Sequence, residues 1–206
     1  MLILDPASGP VVDETVIKKS RFIATAIGIR STEEFAEFLA GVTAAEPGAR
    51  HVCWAYTVGS GSSLVARSSD DGEPGGTAGP PILAALQSRE VANAAITVVR
   101  YFGGVKLGAG GLIRAYGGSA NAVLDQAPLR AAVATAVLTV DAPIDAAGRL
   151  EGVLHALGTV LSVEYTAAAV RLVVEVPARD DVLVGDRILS LTSGAAAVVD
   201  IAHRLA

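Results

Sequence analysis

The sequence predicts an α+β protein built from two domains. The chain has 206 residues, of which 51% are apolar and 18% charged, so it can bury a substantial core and is not disordered over most of its length. Short strand-like runs and amphipathic helical segments are mixed along it, and their character changes after Pro128. We therefore expect one domain over residues 1–130 and a smaller one over residues 131–206.

The first elements are strands and a capped helix. Residues 16–29 alternate weakly in polarity, which favours one or two strands. In the capping box that follows, the Ser31 oxygen is expected to accept from the amide of Glu34, whose carboxylate reaches back. Residues 51–58 are rich in strand formers, and residues 64–67 are suited to be their hairpin partner. The helix between them shows apolar residues at i, i+3, i+4 and i+7, namely Phe35, Phe38, Leu39 and Val42.

Two glycine-rich connections dominate the middle of the chain. Residues 68–81 contain too much Gly and Pro for the interior of a strand or helix, whereas Pro80 and Pro81 suit a first helical turn. Residues 94–102 form a nearly continuous apolar run, which indicates a buried strand. Residues 103–111 form the second glycine-rich loop. A helix follows it with one apolar stripe: Leu112, Tyr116, Ala120 and Val123.

The C-terminal part predicts the order β-α-β-β-α-β, which is the ferredoxin-like pattern. Its predicted helices begin near Pro143 and run from Asp180 to Leu191. Its predicted strands cover residues 134–140, 160–165, 170–176 and 197–201.

Composition restricts the possible functions. Sixteen Lys and Arg against 21 Asp and Glu give a net charge of −5, which argues against broad nucleic-acid binding but leaves room for a local basic patch. Lysine occurs only at positions 18, 19 and 106, which we attribute to coding bias. The single cysteine, Cys53, excludes an internal disulfide. With no apolar stretch long enough for a membrane span and no signal-peptide pattern, we expect a cytoplasmic protein.

The loop at 103–111 is the first candidate site, because glycine backbone at a helix N-terminus favours anions. The spacing of its glycines approaches a P-loop, but Ala109 and Gly110 stand where Lys and Ser/Thr are needed. The alternative is that the glycines only permit close packing. The candidate anion-binding or nucleic-acid-binding residues are Arg100, Gly103, Gly104, Lys106, Gly108, Gly110, Gly111 and Arg114.

The acidic segment is the second candidate. Asp70, Asp71 and Glu73 are suited to hold a hard cation, but they equally suit a turn, or ion pairs with Arg100 or Arg114. We favour the structural interpretation and predict no metal and no cofactor. His51 and Cys53 share one face of a strand and form a conceivable nucleophile pair, but no third, orienting group is identifiable. The catalytic residues, if the protein has any, are therefore unknown.

Four segments together resemble the IMPACT family in its bacterial YigZ-like form: Lys19–Ile23, His51–Tyr56, Ser69–Gly79 and Val99–Tyr116. The resemblance implies an N-terminal domain with the fold of the second domain of ribosomal protein S5, and a C-terminal domain similar to a late domain of elongation factor G. Because both are translation components, and eukaryotic members regulate translation, it also implies a translational role. This chain departs from the family pattern at Val52, where His is frequent, and at Pro80, where Lys is frequent.

The leading hypothesis is a non-enzymatic, translation-associated protein that binds RNA, the ribosome or a translation factor. Its glycine-rich loops at 69–79 and 103–111 are expected to form one surface that contacts phosphate without reading DNA sequence. The alternative is a metal-dependent hydrolase, or another enzyme, acting on a small phosphorylated or peptidic substrate. A third hypothesis is an interaction module whose C-terminal sheet docks a protein. The oligomeric state is left open.

Overall fold

The computed structural model describes residues 1–5, 8–59, 64–167 and 169–205. The chain forms two compact units, Met1–Ala132 with two sheets and Val133–Ala206 with one, and each unit has its own apolar core. The predicted α+β class and two-domain organisation are confirmed. Among the described residues, every helix is too short or too polar to span a bilayer.

The first unit is organised around a five-stranded antiparallel sheet, and a small three-stranded sheet lies beside it. Its elements, in chain order, are β1 (Leu2–Leu4), β2 (Val11–Ile17), β3 (Ser20–Gly28), α1 (Thr32–Ala45), β4 (His51–Val58), β5 (Val65–Ser69), α2 (Gly79–Ser88), β6 (Val91–Ala92), β7 (Ala94–Tyr101), α3 (Ala109–Gln126) and β8 (Leu129–Ala131). The large sheet has the order β2-β3-β7-β4-β5, and the small one β6-β1-β8.

Strand β7 is the centre of the large sheet and is buried from Ala94 to Arg100, as its apolar run predicted. Helices α2 and α3 cover one face of the sheet through a core that includes Phe22, Ile82 and Tyr116. Helix α1 covers part of the other face. Burial on both faces explains why β7 lacks the alternation of a surface strand.

Helix α1 begins with the predicted cap, in a modified form. The Ser31 hydroxyl oxygen accepts from the Glu34 amide at 3.2 Å. The Glu34 carboxylate, however, accepts from the amide of Arg30 at 2.8 Å, one residue earlier than a capping box requires. Only Phe35 of the predicted apolar face is buried, and its ring packs against Tyr56 with centroids 4.4 Å apart. The helix is therefore a partial cover for the sheet.

The second unit has the predicted β-α-β-β-α-β order. Its elements are β9 (Ala134–Ala142), α4 (Ala147–Leu157), β10 (Thr159–Tyr165), β11 (Val170–Pro177), α5 (Asp181–Leu191) and β12 (Ala197–Leu205). The sheet order β10-β11-β9-β12, antiparallel throughout, is the ferredoxin-like arrangement. A 3₁₀ turn at Ile144–Ala146 precedes α4, so this helix starts after the position predicted from Pro143.

The second glycine-rich loop is shorter than predicted. Helix α3 starts at Ala109, so Gly110 and Gly111 belong to its first turn. Glycine is a poor helix former, which is why the sequence favoured a loop there. Burial of the stripe that includes Leu112 and Tyr116 compensates for this weak propensity.

A matched pair of glycine substitutions in and after α4 tests this packing. A Cβ at Gly158 would lie 2.2 Å from the Glu175 carbonyl oxygen, whereas a Cβ at Gly152 would meet nothing within 4 Å. Gly158→Ala is expected to lower the free energy of unfolding by about 1–3 kcal/mol. Gly152→Ala is expected to raise it by about 0.5–1 kcal/mol, because alanine is the better helix former. Urea unfolding measures both changes, and equal effects would contradict the close backbone approach at Gly158.

Candidate functional site

One end of the large sheet gathers both glycine-rich connections. Strand β7 ends there, and its residue Arg100 is paired in register with Phe22 at the start of β3 and His51 at the start of β4. Their side chains lie on the sheet face that α2 and α3 cover, since this row continues the alternation of the buried core residues. The segments 70–78 and 102–108 approach this row from β5 and β7.

The Arg100 side chain is buried. It is only 9% exposed, and its Nη1 donates to Glu73 Oε1 at 2.6 Å. The same carboxylate oxygen accepts from the Tyr116 hydroxyl at 2.7 Å. A buried charge needs such a partner, because removal from water is costly. Of the ion pairs considered from the sequence, the one that forms is Glu73 with Arg100, so Arg100 is not a surface cation.

Asp70 closes the N-terminus of α2. Its Oδ1 accepts from the amides of Ala78 and Gly79 at 2.8 and 2.9 Å, and its Oδ2 accepts from the amide of Gly76 at 2.8 Å. Burial raises the pKa of Asp70, but these hydrogen bonds outweigh it and hold the pKa below its ordinary value. The next two residues are prolines without an N–H group, so the N-terminus of α2 offers little to an external anion.

Asp71 fixes His51 and the start of β4. Its Oδ2 accepts from the amide of Val52 at 2.6 Å, and its carbonyl oxygen lies 2.7 Å from His51 Nδ1. Because a carbonyl can only accept, Nδ1 carries the proton. The acidic residues considered as metal ligands therefore make contacts within the protein. Among the described residues, no group of three or more His, Cys, Asp or Glu is arranged to hold a metal ion.

Cys53 is unsuited to be a nucleophile. Its side chain is buried, and Sγ donates to the carbonyl oxygen of Asp70 at 3.0 Å. Burial raises the pKa of the Cys53 thiol to about 12, so the reactive thiolate is scarce at neutral pH. Burial also raises the pKa of Tyr116, which lies beside it. The His51–Cys53 pair therefore has a structural role in this geometry.

At four of the five candidate glycine positions, the structure explains why glycine is required. A Cβ at Gly103 would lie 2.0 Å from the carbonyl carbon of Lys19, and a Cβ at Gly111 would lie 2.9 Å from a side-chain carbon of Leu107. Backbone conformation accounts for two more, since Gly104 and Gly108 have φ angles of +86° and +73°.

Gly110 is the exception. It is helical, and a Cβ there would meet only Arg114 Nη1, at 3.7 Å. Neither conformation nor packing requires glycine at this position, and glycine weakens a helix. Its presence leaves the backbone of the first turn uncovered. The guanidinium of Arg114 lies beside that turn.

The N-terminus of α3 is open, in contrast to that of α2. Its N-cap residue, Gly108, has no side chain, and the first helical hydrogen bond runs from the amide of Leu112 to the Gly108 carbonyl. In the described part of the chain, no acceptor serves the amides of Ala109, Gly110 and Gly111. Such amides, at the positive end of a helix dipole, favour anions.

All three lysines of the chain lie in two loops that meet at this end of the sheet. Lys18 and Lys19 form the turn between β2 and β3, and Lys106 lies in the segment 102–108, which touches that turn through Gly103. All three are exposed, and within the described ranges neither they nor Arg114 form an ion pair. We call these four residues, with the first-turn amides of α3, the basic edge.

Sequence reasoning identified Lys106 and Arg114 but missed Lys18 and Lys19. Coding bias explains the scarcity of lysine but not its positions, and the adjacent pair Lys18 and Lys19 was the available signal. The two loops are joined by the packing of Gly103 on Lys19 and by the hydrogen bond that the Gly103 amide donates to Ser20 Oγ. Nothing in the residue spacing indicates these contacts.

Removing the cap on α2 tests the role of Asp70. Asp70→Asn is expected to lower the free energy of unfolding at pH 7 by about 1–2 kcal/mol, because one charged acceptor is lost. Since folding lowers the pKa of Asp70 below 3.8, its contribution is present above that pH and is lost as the pH falls through the folded value. The free energies of unfolding of the wild type and of Asp70→Asn, measured at several pH values, should therefore become equal in acid. The exposed Asp186→Asn serves as a control that should change little.

Neutralising Glu73 tests the buried ion pair. Glu73→Gln keeps the size of the side chain but leaves Arg100 buried without a counter-charge, so we expect a loss of about 3 kcal/mol in the free energy of unfolding. Glu14→Gln, in the exposed pair with Arg21, is the matched control and should have little effect. An unchanged denaturant midpoint for Glu73→Gln would contradict the structural role assigned to this pair.

Comparisons with known proteins agree with the motifs. The family model described as the Impact N-terminal domain matches residues 18–124. An IMPACT family member of Thermus thermophilus is 40% identical over 162 residues, which cover 79% of this chain and 87% of that protein. YigZ of Escherichia coli is 46% identical over 124 residues, 60% of each chain.

The match to a Haemophilus influenzae IMPACT family member is 47% identical over 115 residues but spans only 56% of that protein's length. A crystal structure described as that of a hypothetical protein covers 95% of this chain and 94% of its own, with 34% identity and a TM-score of 0.70. From the matched domain and the Thermus relative, the chain belongs to the IMPACT family.

Proposed function

We propose that this protein is a non-enzymatic, translation-associated regulatory protein whose basic edge binds the phosphates of RNA. The observation that carries the proposal is that every lysine in the chain lies in one of two loops that meet at Gly103, and one of these loops leads into the open N-terminus of α3. In a protein of net charge −5, this is a local concentration of positive charge.

The electrostatics of the basic edge favour an anionic ligand. Arg114 lies beside the positive end of the α3 dipole, an arrangement that costs about 0.3–1 kcal/mol at an exposed site. Lys18, Lys19 and Lys106 add charge of the same sign, while the nearby carboxylates of Glu73 and Asp70 are engaged internally. A phosphate at the first turn of α3 reverses these repulsions, because it accepts from the amides and neutralises the cations.

The expected binding is sensitive to salt and independent of sequence. Phosphate contacts fix position without reading bases, and the net negative charge of the chain keeps general affinity low. Family membership supports the link to translation, since the resemblance of the motifs implies translational regulators and fold relatives among translation components. The alternative enzyme has less support, because Asp70, Asp71 and Glu73 bind within the protein.

Neutralising two cations of the basic edge tests the proposal. Lys106→Ala/Arg114→Ala is expected to weaken binding of a fluorescein-labelled 12-nucleotide single-stranded RNA, measured by anisotropy at low salt. The slope of log K against log salt is negative, and each lost phosphate contact reduces its magnitude by about 0.7, so the double variant should reduce it by about 1.4.

The control is Arg149→Ala/Arg187→Ala, which removes the same charge from exposed positions of the second unit. It should leave the affinity and the salt slope close to wild type. Equal losses in both double variants would indicate a diffuse charge effect and overturn the assignment of the site. Binding of an acidic peptide but not RNA at the basic edge would favour a protein partner.

A further inference from the structure

An exposed aromatic ring lies in the same loop as Lys106. Phe102 is 54% exposed, whereas every other aromatic side chain of the first unit is buried or half-buried. It immediately precedes Gly103, which packs on the backbone of Lys19. The ring is thus tethered next to the contact that joins the two lysine-bearing loops.

The position of the Phe102 ring is supported from inside the protein. The guanidinium carbon of Arg100 lies over the ring, 5.5 Å from its centroid, and 5.6 Å from the centroid of the buried Phe22. Arg100 is held in turn by Glu73. Cation–π contact with a fixed guanidinium orients the ring, so Phe102 is a supported platform and not a loose surface side chain.

A supported aromatic ring beside backbone-binding cations is the arrangement by which proteins hold single-stranded nucleic acid. The cations follow the phosphates, and the ring stacks on a base, which is sequence-tolerant because every base has a π-face. A duplex does not offer this contact, since its bases are stacked on each other. The charge of the basic edge and the aromatic character of Phe102 therefore suit the same ligand.

We propose that Phe102 is a base-stacking residue and that the ligand of the basic edge is single-stranded RNA. This inference rests on the proposed function and narrows it. One base stacks on the Phe102 ring while the neighbouring phosphates contact Lys19, Lys106 and the amides at the start of α3.

The test compares three labelled probes of 12 positions: a single-stranded RNA, an abasic ribose-phosphate oligomer of the same charge, and a blunt RNA duplex. Phe102→Leu keeps an apolar cover over Arg100 but removes the ring. It is expected to weaken binding of the single-stranded RNA between about 5-fold and 150-fold, and to leave binding of the abasic oligomer and the duplex unchanged. A thermal melt of the variant checks that the fold is retained.

A second variant supplies a direct signal. Phe102→Trp should restore the affinity for single-stranded RNA, and its indole fluorescence should be quenched by the RNA but not by the abasic oligomer. The native Trp54 packs against Phe35 on the other face of the sheet and provides a constant background.

The outcomes separate the two proposals. Equal affinity of Phe102→Leu and wild type for single-stranded RNA, or equal affinity of wild type for RNA and the abasic oligomer, would overturn stacking while leaving phosphate binding intact. Failure of all three probes to bind wild type at low salt would overturn the proposed function as well.

Discussion

The buried pair of Glu73 and Arg100 is the constraint on which this end of the protein depends. Glu73 comes from the loop after β5, Arg100 from the central strand, and Tyr116, which donates to the same carboxylate oxygen, from α3. Three distant parts of the chain are thereby held at one point. Because an unpaired charge in this environment is costly, the pair specifies a single arrangement of the loop and the helix.

This constraint separates the acidic from the basic side chains at this end of the first unit. The acidic side chains of the loop 70–78 are engaged within the protein: Asp70 caps α2, Asp71 accepts from the Val52 amide, and the buried Glu73 neutralises Arg100. The cations of the neighbouring loops stay outside and have no ion-pair partner among the described residues. Unpaired cations therefore lie on the surface at this end, although the chain as a whole is acidic. Phe102 lies at the boundary, with Arg100 against its ring and the next residue, Gly103, packed on the backbone of Lys19.

The two glycine-rich connections differ in how the N-terminus of the helix that follows each of them is capped. In the first, an acidic side chain of the protein occupies the N-terminus of α2. In the second, Gly108 and Gly110 leave the N-terminus of α3 without a side-chain cap. Both loops are rich in glycine, and their sequences suggested a shared role at one surface. The geometry instead assigns internal support to the first loop and places the candidate contact surface on the second.

Much of the fold can be predicted from the sequence because it depends on the pattern of residues close together in the chain. The apolar run of β7, the cap at Ser31 and the β-α-β-β-α-β order of the second unit are set by residues close together in the chain. The start of α3 is not readable in this way, because tertiary burial of Leu112 and Tyr116 overrides the weak helix propensity of Gly110 and Gly111.

The sequence by itself determined the fold class, the family motifs and two cations of the candidate site, Lys106 and Arg114. Only the tertiary structure decided that Arg100 is internal and that Lys18 and Lys19 join the basic edge. The physical reason is that burial and ion pairing are set by contacts between residues far apart in the chain. Glu73 and Arg100 are 27 positions apart, and residue spacing carries no information on which carboxylate a buried guanidinium will meet.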